Sequence, residues 1–153
     1  MKTTFKQAHE VLKDAQNFHL DMAGIYQHLL DNTEDNRTQL LLKHLHEHEL
    51  RMANNLKNYG AVAEQKVMQT WLQYTNEESA NQLVKSLYLS DNPSIEEINK
   101  LGQEVDRYFS DLYHGVYGSI ESEEVKKVFE NLKHIQDKER ITLSKATNSL
   151  WDM

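Results

Sequence analysis

The chain contains no cysteine, and this excludes several kinds of site at once. Disulfides, thiolate zinc sites, iron–sulfur clusters and cysteine nucleophiles all need a residue that is missing here. Proline occurs once and glycine five times in 153 residues, so few positions interrupt regular structure. The remaining residues are rich in Leu, Lys, Glu, Gln and Asn, which helices tolerate better than sheets do. The composition predicts an all-α protein with a single domain over residues 1–153.

Long apolar runs and clusters of basic residues are also absent. The opening MKTTFKQAHEVLKD is polar and charged where a secretory signal needs an apolar core, and no later run approaches the length of a membrane span. We therefore expect a soluble, cytoplasmic protein with no membrane partner. The formal charge is −7, and Lys and Arg are not concentrated anywhere, so we expect no nucleic-acid partner.

Apolar residues recur at helical spacing in four long segments, two of them in the first half of the chain. The first helix is expected to follow a capping box that starts at Thr4, and to end near Asp31. Thr33 or Asp35 is the expected N-cap of the second helix, which Gly60 should end. The predicted inner stripes of these helices are Leu12, Ala15, Met22, Tyr26 and Leu29, then Leu41, Leu45, Met52, Leu56 and Tyr59.

The segment from Gly60 to Pro93 is too long for a tight turn and predicts a crossover. A capping box at Thr75 and Glu78 should start a short helix that ends near Tyr88. We expect its apolar side chains to cover the long helices, although they could also form the contact of a homodimer. These side chains are Trp71, Leu72, Tyr74, Leu83, Leu87 and Leu89.

Two further long helices are expected after Pro93. A capping box at Ser94 and Glu97 should start the third, a break near Gly118 should end it, and Ser122 should cap the fourth. Their predicted stripes are Ile98, Val105, Phe109, Tyr113, Val116 and Ile120, then Val125, Phe129, Leu132, Ile135, Thr142 and Ala146. Two helix pairs joined by one long crossover are typical of a four-helix bundle whose second and third helices run parallel.

Each inner stripe contains one ionisable residue near its middle. These residues are His19, Glu49, Asp106 and Glu139, and we expect all four to converge in one buried cluster. A buried charge loses hydration worth several kcal/mol unless a partner, a proton or a metal compensates it. A divalent metal would satisfy carboxylate oxygens and an imidazole nitrogen together, whereas a metal-free cluster would share protons and hydrogen bonds. The residues alone leave both alternatives open.

Over residues 8–150 the chain resembles the ferritin-like superfamily, and within it the rubrerythrin-type proteins. In that family the first and third helices each carry a metal-binding Glu, followed seven residues later by a Tyr. Here His19 with Tyr26 and Asp106 with Tyr113 occupy those places. The resemblance implies a ferritin-like four-helix bundle in which the two tyrosines lie beside the metal ligands.

The second and fourth helices of that family carry Glu-x-x-His. The matching stretches here are Glu49-Leu-Arg-Met and Glu139-Arg-Ile-Thr, so both motif histidines are missing. The resemblance implies that Glu49 and Glu139 match family ligands, whereas Asp106 is a shorter acid and His19 replaces an acid. The departures favour a metal-free binding or structural module without a cofactor. The alternative is an iron or manganese carboxylate protein with oxidative or stress-related oxidoreductase activity.

One other histidine pair has metal-binding spacing. His44 and His48 lie one helical turn apart and could chelate a transition metal from one face. Histidines on a charged helix face are mostly solvated, and we interpret the pair in that way. The sequence does not decide whether the protein is an enzyme, and it identifies no substrate, protein partner or oligomeric state.

Overall fold

The computed structural model describes residues 4–74, 78–119 and 122–152. Within these ranges the chain is mostly helical and has one two-stranded sheet, so the predicted all-α class is confirmed. In chain order the elements are β1 (Thr4–Gln7), α1 (Ala8–Asp31), α2 (Asn36–Val62), α3 (Gln65–Met68), β2 (Trp71–Tyr74), α4 (Ala80–Ser86), α5 (Ile95–Ser119), α6 (Glu123–Thr147) and a 3-10 helix (Asn148–Asp152). None of the helices described is both long and apolar enough to cross a membrane.

Helix α1 begins at Ala8, later than the predicted start after Thr4. Strand β1 occupies the intervening segment and pairs antiparallel with β2, with Gln7 opposite Trp71. The backbone amide of Ala8 donates to the carbonyl of Thr70 at 2.9 Å, which continues the pairing to the start of the helix. The capping signal at Thr4 was therefore wrong, because a distant strand supplies the hydrogen bonds of this segment.

The start of α2 agrees with the sequence, but its end does not. Asp35 is the N-cap, and its carboxylate accepts a hydrogen bond from the backbone amide of Thr38 at 2.9 Å. The predicted stop at Gly60 is wrong, because the helix continues to Val62. A Cβ built on Gly60 would meet only Leu12 Cδ2, at 3.9 Å. This ordinary contact, with helical backbone on both sides, gives the chain no reason to stop there.

The crossover contains β2 and two short helices, α3 and α4, in its described part. The capping box of α4 is formed by Ser79 and Gln82, so the short helix starts later than the predicted box at Thr75 and Glu78 would place it. The backbone amide of Gln82 donates to Ser79 Oγ at 3.1 Å, and the Ser79 amide donates to Gln82 Oε1 at 2.8 Å. Thr75 lies outside the described residues. Both pairs have the required spacing, and the sequence alone did not distinguish them.

The apolar side chains of the crossover are divided between the interior and the surface. Leu72 and Leu83 are buried, which agrees with the expected cover of the long helices. Trp71 on β2 is 62% exposed, and a homodimer contact through this part of the surface stays a prediction. The side chain of Tyr74 lies outside the described residues.

Helix α5 starts at the predicted capping box. The backbone amide of Glu97 donates to Ser94 Oγ at 3.2 Å, and the Ser94 amide donates to Glu97 Oε1 at 3.2 Å. Ser90 adds hydrogen bonds from its amide and its hydroxyl, at 3.0 and 2.7 Å. These bonds, first those from Ser90 and then those from Ser94, lower the pKa of Glu97 to about 2.

Ser122 is at the predicted N-cap position of α6, but its side chain makes no capping hydrogen bond, and the inner face of the helix was partly mispredicted. Thr142 and Ala146 are exposed, whereas Gln136 and Thr147 are buried. Gln136 can occupy the interior because its amide group finds hydrogen-bond acceptors on α5. A hydrophobic pattern cannot identify such a position, since the residue is polar.

Helices α1 and α2 are antiparallel. His19 contacts Glu49, and the carbonyl of Ala23 accepts from His46 at 2.8 Å. Residue numbers therefore rise along one helix as they fall along the other. This register places His19 of α1 and Glu49 of α2 at the same height along the helix axes.

Helix α6 is antiparallel to both α2 and α5. Contacting pairs are Arg51 with Glu139 and Tyr59 with Asn131 against α2, and Asp106 with Gln136 and Tyr113 with Phe129 against α5. Since α2 and α5 both oppose α6, they run in the same direction. A crossover along the length of the helices is required to join them.

The core lies between the four long helices and contains most of the predicted stripes. Leu29, Tyr59 and Ile135 are half-buried, and Ile120 lies outside the described residues. The buried stripe residues are Leu12, Ala15, Met22, Tyr26, Leu41, Leu45, Met52, Leu56, Ile98, Val105, Phe109, Tyr113, Val116, Val125, Phe129 and Leu132.

Candidate functional site

His19 of α1 and Glu49 of α2 form a buried polar pair inside the core. The distance from His19 Nδ1 to Glu49 Oε2 is 2.5 Å, and each residue is 2% exposed. A carboxylate can only accept, so the imidazole Nδ1–H donates. Such a charge-assisted hydrogen bond compensates part of the hydration that the carboxylate loses on burial.

Phe109 of α5 fixes the orientation of this imidazole. The two rings are stacked, with centroids 3.9 Å apart and an interplanar angle of 12°. With Nδ1 held by Glu49 and one face covered by Phe109, the ring has one orientation. Its other nitrogen, Nε2, is buried and has no hydrogen-bond partner among the described residues.

Asp106 of α5 lies at the edge of the same region and is held by α6. The side-chain amide of Gln136 donates to its backbone carbonyl at 3.0 Å and to Oδ1 at 3.2 Å. Arg140 Nη1 donates to Oδ2 at 3.3 Å. The Asp106 side chain is 27% exposed, so solvent and the Arg140 guanidinium together compensate its negative charge.

Glu139 of α6 is bound by α2. Arg51 Nε donates to Glu139 Oε2 at 3.1 Å, and His48 Nδ1 lies 4.0 Å from the same oxygen. Burial is the largest influence on the imidazole and lowers the pKa of His48 below 6.5, although Glu49 and Glu139 oppose the shift. His48 is therefore a largely buried neutral group. Our interpretation of it as a solvated surface histidine was wrong.

Tyr26 and Tyr113, the two tyrosines of the predicted repeat, are both buried. Burial, and after it the charge of Glu49, raises the pKa of Tyr26 well above its ordinary value, so its hydroxyl keeps its proton.

A Cβ on Gly102 would come within 3.1 Å of Leu45 and 4.0 Å of the Tyr26 hydroxyl. Gly102 therefore lets α5 approach α1 and α2 closely at this level.

A cavity of about 310 Å³ adjoins these residues, between α2, α5 and α6. His19, Glu49 and Asp106 line it, together with His48 and Gln136, whereas Glu139 does not. Its apolar lining comprises Leu41, Leu45, Met52, Val105, Phe109 and Leu143. Exposed lining residues on α5 and α6, Gln103, Arg140 and Ser144, show where it reaches the surface.

The four predicted site residues thus separate into three hydrogen-bonded groups rather than one. His19 and Glu49 contact each other, while Asp106 and Glu139 are each held by an arginine. No group of three or more His, Asp or Glu side chains in the described chain is placed to hold a metal ion. The arginines that hold Asp106 and Glu139 supply the positive charge that metal ions would supply in the dimetal centre implied by the family resemblance.

Sequence reasoning missed the partners that hold these acids. Arg51 and Arg140 lie inside the two stretches that match Glu-x-x-His. Their charge could have identified them as partners of the acids, but the motif comparison took account only of the Glu and His positions. Gln136 had no signal in the hydrophobic pattern. Its position one helical turn before Arg140 was the signal that the sequence offered.

Comparisons of the chain with family models, curated proteins and solved structures found no match.

Proposed function

We propose that this chain is a ferritin-like four-helix bundle that serves as a metal-free binding or structural module. Support for the arrangement comes from the helix directions. Antiparallel pairs α1–α2 and α5–α6, a parallel α2 and α5, and a long crossover between them are the features that distinguish ferritin-like connectivity from an up-down-up-down bundle.

The observation that carries the function is the compensation of each inner acid by a protein nitrogen donor. Glu49 is bound by His19, Asp106 by Gln136 and Arg140, and Glu139 by Arg51. In a dimetal site of the family type, metal cations balance the carboxylates. Here a cation placed between Asp106 and Glu139 would meet two guanidinium groups that are already bound there. The missing motif histidines remove the nitrogen ligands as well.

One observation favours the alternative, an iron or manganese carboxylate protein with oxidative or stress-related oxidoreductase activity. Metal-binding histidines usually donate one ring N–H to a carboxylate or carbonyl and present the other nitrogen to the metal. His19 donates from Nδ1 to Glu49, and its buried Nε2 has no partner among the described residues. A bound metal would supply Lewis-acid or redox chemistry at that nitrogen, and this chain would contribute its position and orientation.

Metal content distinguishes the two functions. The protein is purified without a histidine tag, loaded with excess iron(II) or manganese(II), desalted and measured by elemental analysis, with Glu49→Gln as the matched variant. If the metal-free function is right, both proteins contain much less than one metal ion per chain. About one metal ion or more per chain in the wild type, lost in Glu49→Gln, would establish the metalloprotein and overturn the proposal.

A further inference from the structure

Three residues that line the cavity beside His19 each have a buried polar atom without a hydrogen-bond partner in the described chain, namely His19 Nε2, His48 Nδ1 and Gln136 Oε1. Gln136 donates its amide hydrogens to Asp106, so its Oε1 faces away from those bonds, and that oxygen is buried without a partner in the described chain. His19 Nδ1 carries the hydrogen donated to Glu49, so in the neutral imidazole Nε2 is an acceptor. Both residues line the same cavity and are at most 5% exposed.

The cavity wall contains two carboxylates, those of Glu49 and Asp106, and one guanidinium, that of Arg140. Arg140 pairs with both Asp106 and Asp137, whereas Glu49 has only the imidazole of His19 as its partner among the described residues. The chain as a whole carries a formal charge of −7, which attracts cations toward the opening.

The size and the apolar walls restrict the ligand further. At about 310 Å³ the cavity is at the small end of ligand pockets, which span roughly 300–1,000 Å³. Leu45, Met52 and Leu143 offer an apolar surface beside the polar groups. A ligand that fits therefore has a hydrogen-donating head and a short hydrocarbon chain.

We propose that this cavity binds a small primary amine in its ammonium form, with hydrogens donated to His19 Nε2 and Gln136 Oε1 and the charge next to Glu49. The hydrocarbon chain lies along the leucine and methionine side chains. The proposal rests on the proposed metal-free function, because a metal at His19 Nε2 would occupy the same acceptor. It identifies the class of ligand that a binding module of this kind would take.

Binding is measured by titrating the ¹⁵N-labelled full chain, first shown to be metal-free by elemental analysis, with three probes of equal chain length. Pentylamine, pentanol and pentanoate differ in head group, being cationic, neutral and anionic near pH 7. We expect saturable amide shifts on the helices around the cavity with pentylamine, a dissociation constant at least about tenfold higher for pentanol, and no saturable shift with pentanoate.

Two variants test the acceptors one at a time. His19→Asn places an amide nitrogen near the position of Nδ1, which keeps a donor for Glu49 and removes Nε2. Gln136→Met removes Oε1 at nearly constant volume, together with the amide donor to Asp106, which keeps its hydrogen bond from Arg140. Each should raise the dissociation constant of pentylamine about tenfold. Gln69→Met, at an exposed position away from the cavity, is the matched control and should not change it. If His19→Asn does not fold, Gln136→Met is sufficient for the test.

The outcomes separate this proposal from the proposed function. Stoichiometric metal in the first step would overturn the metal-free function and this inference with it. A metal-free protein in which pentylamine does not saturate, binds no tighter than pentanol or is unaffected by Gln136→Met would overturn the amine site alone. Shifts confined to exposed acidic residues would show nonspecific attraction and would also overturn it.

Discussion

Substitutions of Glu49 and His19 affect the same hydrogen bond but should have very different costs. Glu49→Gln keeps the shape of the side chain and an acceptor for His19 Nδ1, and it removes a buried negative charge. A hydrogen bond to a charged group is worth about 1.5–3 kcal/mol and a neutral one about 0.5–1.5 kcal/mol, so the bond weakens by roughly 1–2 kcal/mol. The penalty for burying a carboxylate, several kcal/mol, is relieved at the same time. We expect a free energy of unfolding that is unchanged or slightly higher.

His19→Ala should be strongly destabilising, because it leaves the Glu49 carboxylate buried without its partner. Breaking a buried pair from one side costs about 3–5 kcal/mol. The lost stacking on Phe109 and the space left by the ring add to this cost. At roughly 2–4 °C per kcal/mol for a protein of this size, the melting temperature should fall by about 6–20 °C. The double variant His19→Ala with Glu49→Gln should recover part of that loss, since no buried charge is then left unpaired.

The assay is thermal unfolding followed by circular dichroism for the wild type and the three variants, each with chelator and with added iron(II) or manganese(II). The expected order of stability is Glu49→Gln near the wild type, then the double variant, then His19→Ala, with little effect of metal. Two results would refute the reasoning. One is a loss in Glu49→Gln as large as that in His19→Ala. The other is a rise of several degrees when the wild type alone is loaded with metal.

Three further predictions follow from other parts of the structure. Burial lowers the pKa of His48 below 6.5, so as pH falls through 6.5 the unfolded chain takes up the proton first and the folded state loses stability. His48→Asn should make the free energy of unfolding in urea less dependent on pH between 7 and 5. The exposed His134→Asn should leave that dependence unchanged, and equal slopes of free energy against pH in the two variants would contradict this. The pKa of Glu97 falls from 4.5 to about 2 on folding, so its contribution is present above pH 4.5 and declines as pH falls toward 2. The loss of melting temperature in Glu97→Gln should therefore be larger at pH 7 than at pH 3, and a loss independent of pH would exclude this cause. Phe109→Ala should lower the free energy of unfolding in urea by about 3–5 kcal/mol. Trp71→Ala, at a residue that is 62% exposed, should change it by less than about 0.5 kcal/mol, and similar losses in the two would show that the core is misassigned.

The sequence predicted the elements whose signals are local. Helical periodicity identified the four long helices, and the stripes from Leu12 to Leu132 identified most of their buried faces. The sequence predicted the cap at Ser94 and limited the cap of α2 to Thr33 or Asp35, because a cap bonds to its own helix within three residues. The stripe rule also placed His19 and Glu49 inside, since a polar residue between apolar neighbours on one face must share their environment.

Only the tertiary structure decided what each polar residue touches. The axial register and rotation of neighbouring helices determine which side chains come within hydrogen-bond distance, and these depend on packing between segments far apart in the chain. That packing directed Arg51 and Arg140 to Glu139 and Asp106, buried His48 and paired Thr4–Gln7 with Trp71–Tyr74. If the helices were rotated slightly about their own axes, every helix would be kept, but each inner acid would have different partners. For this reason the helices could be predicted from the chain, while the chemistry of the cavity could not.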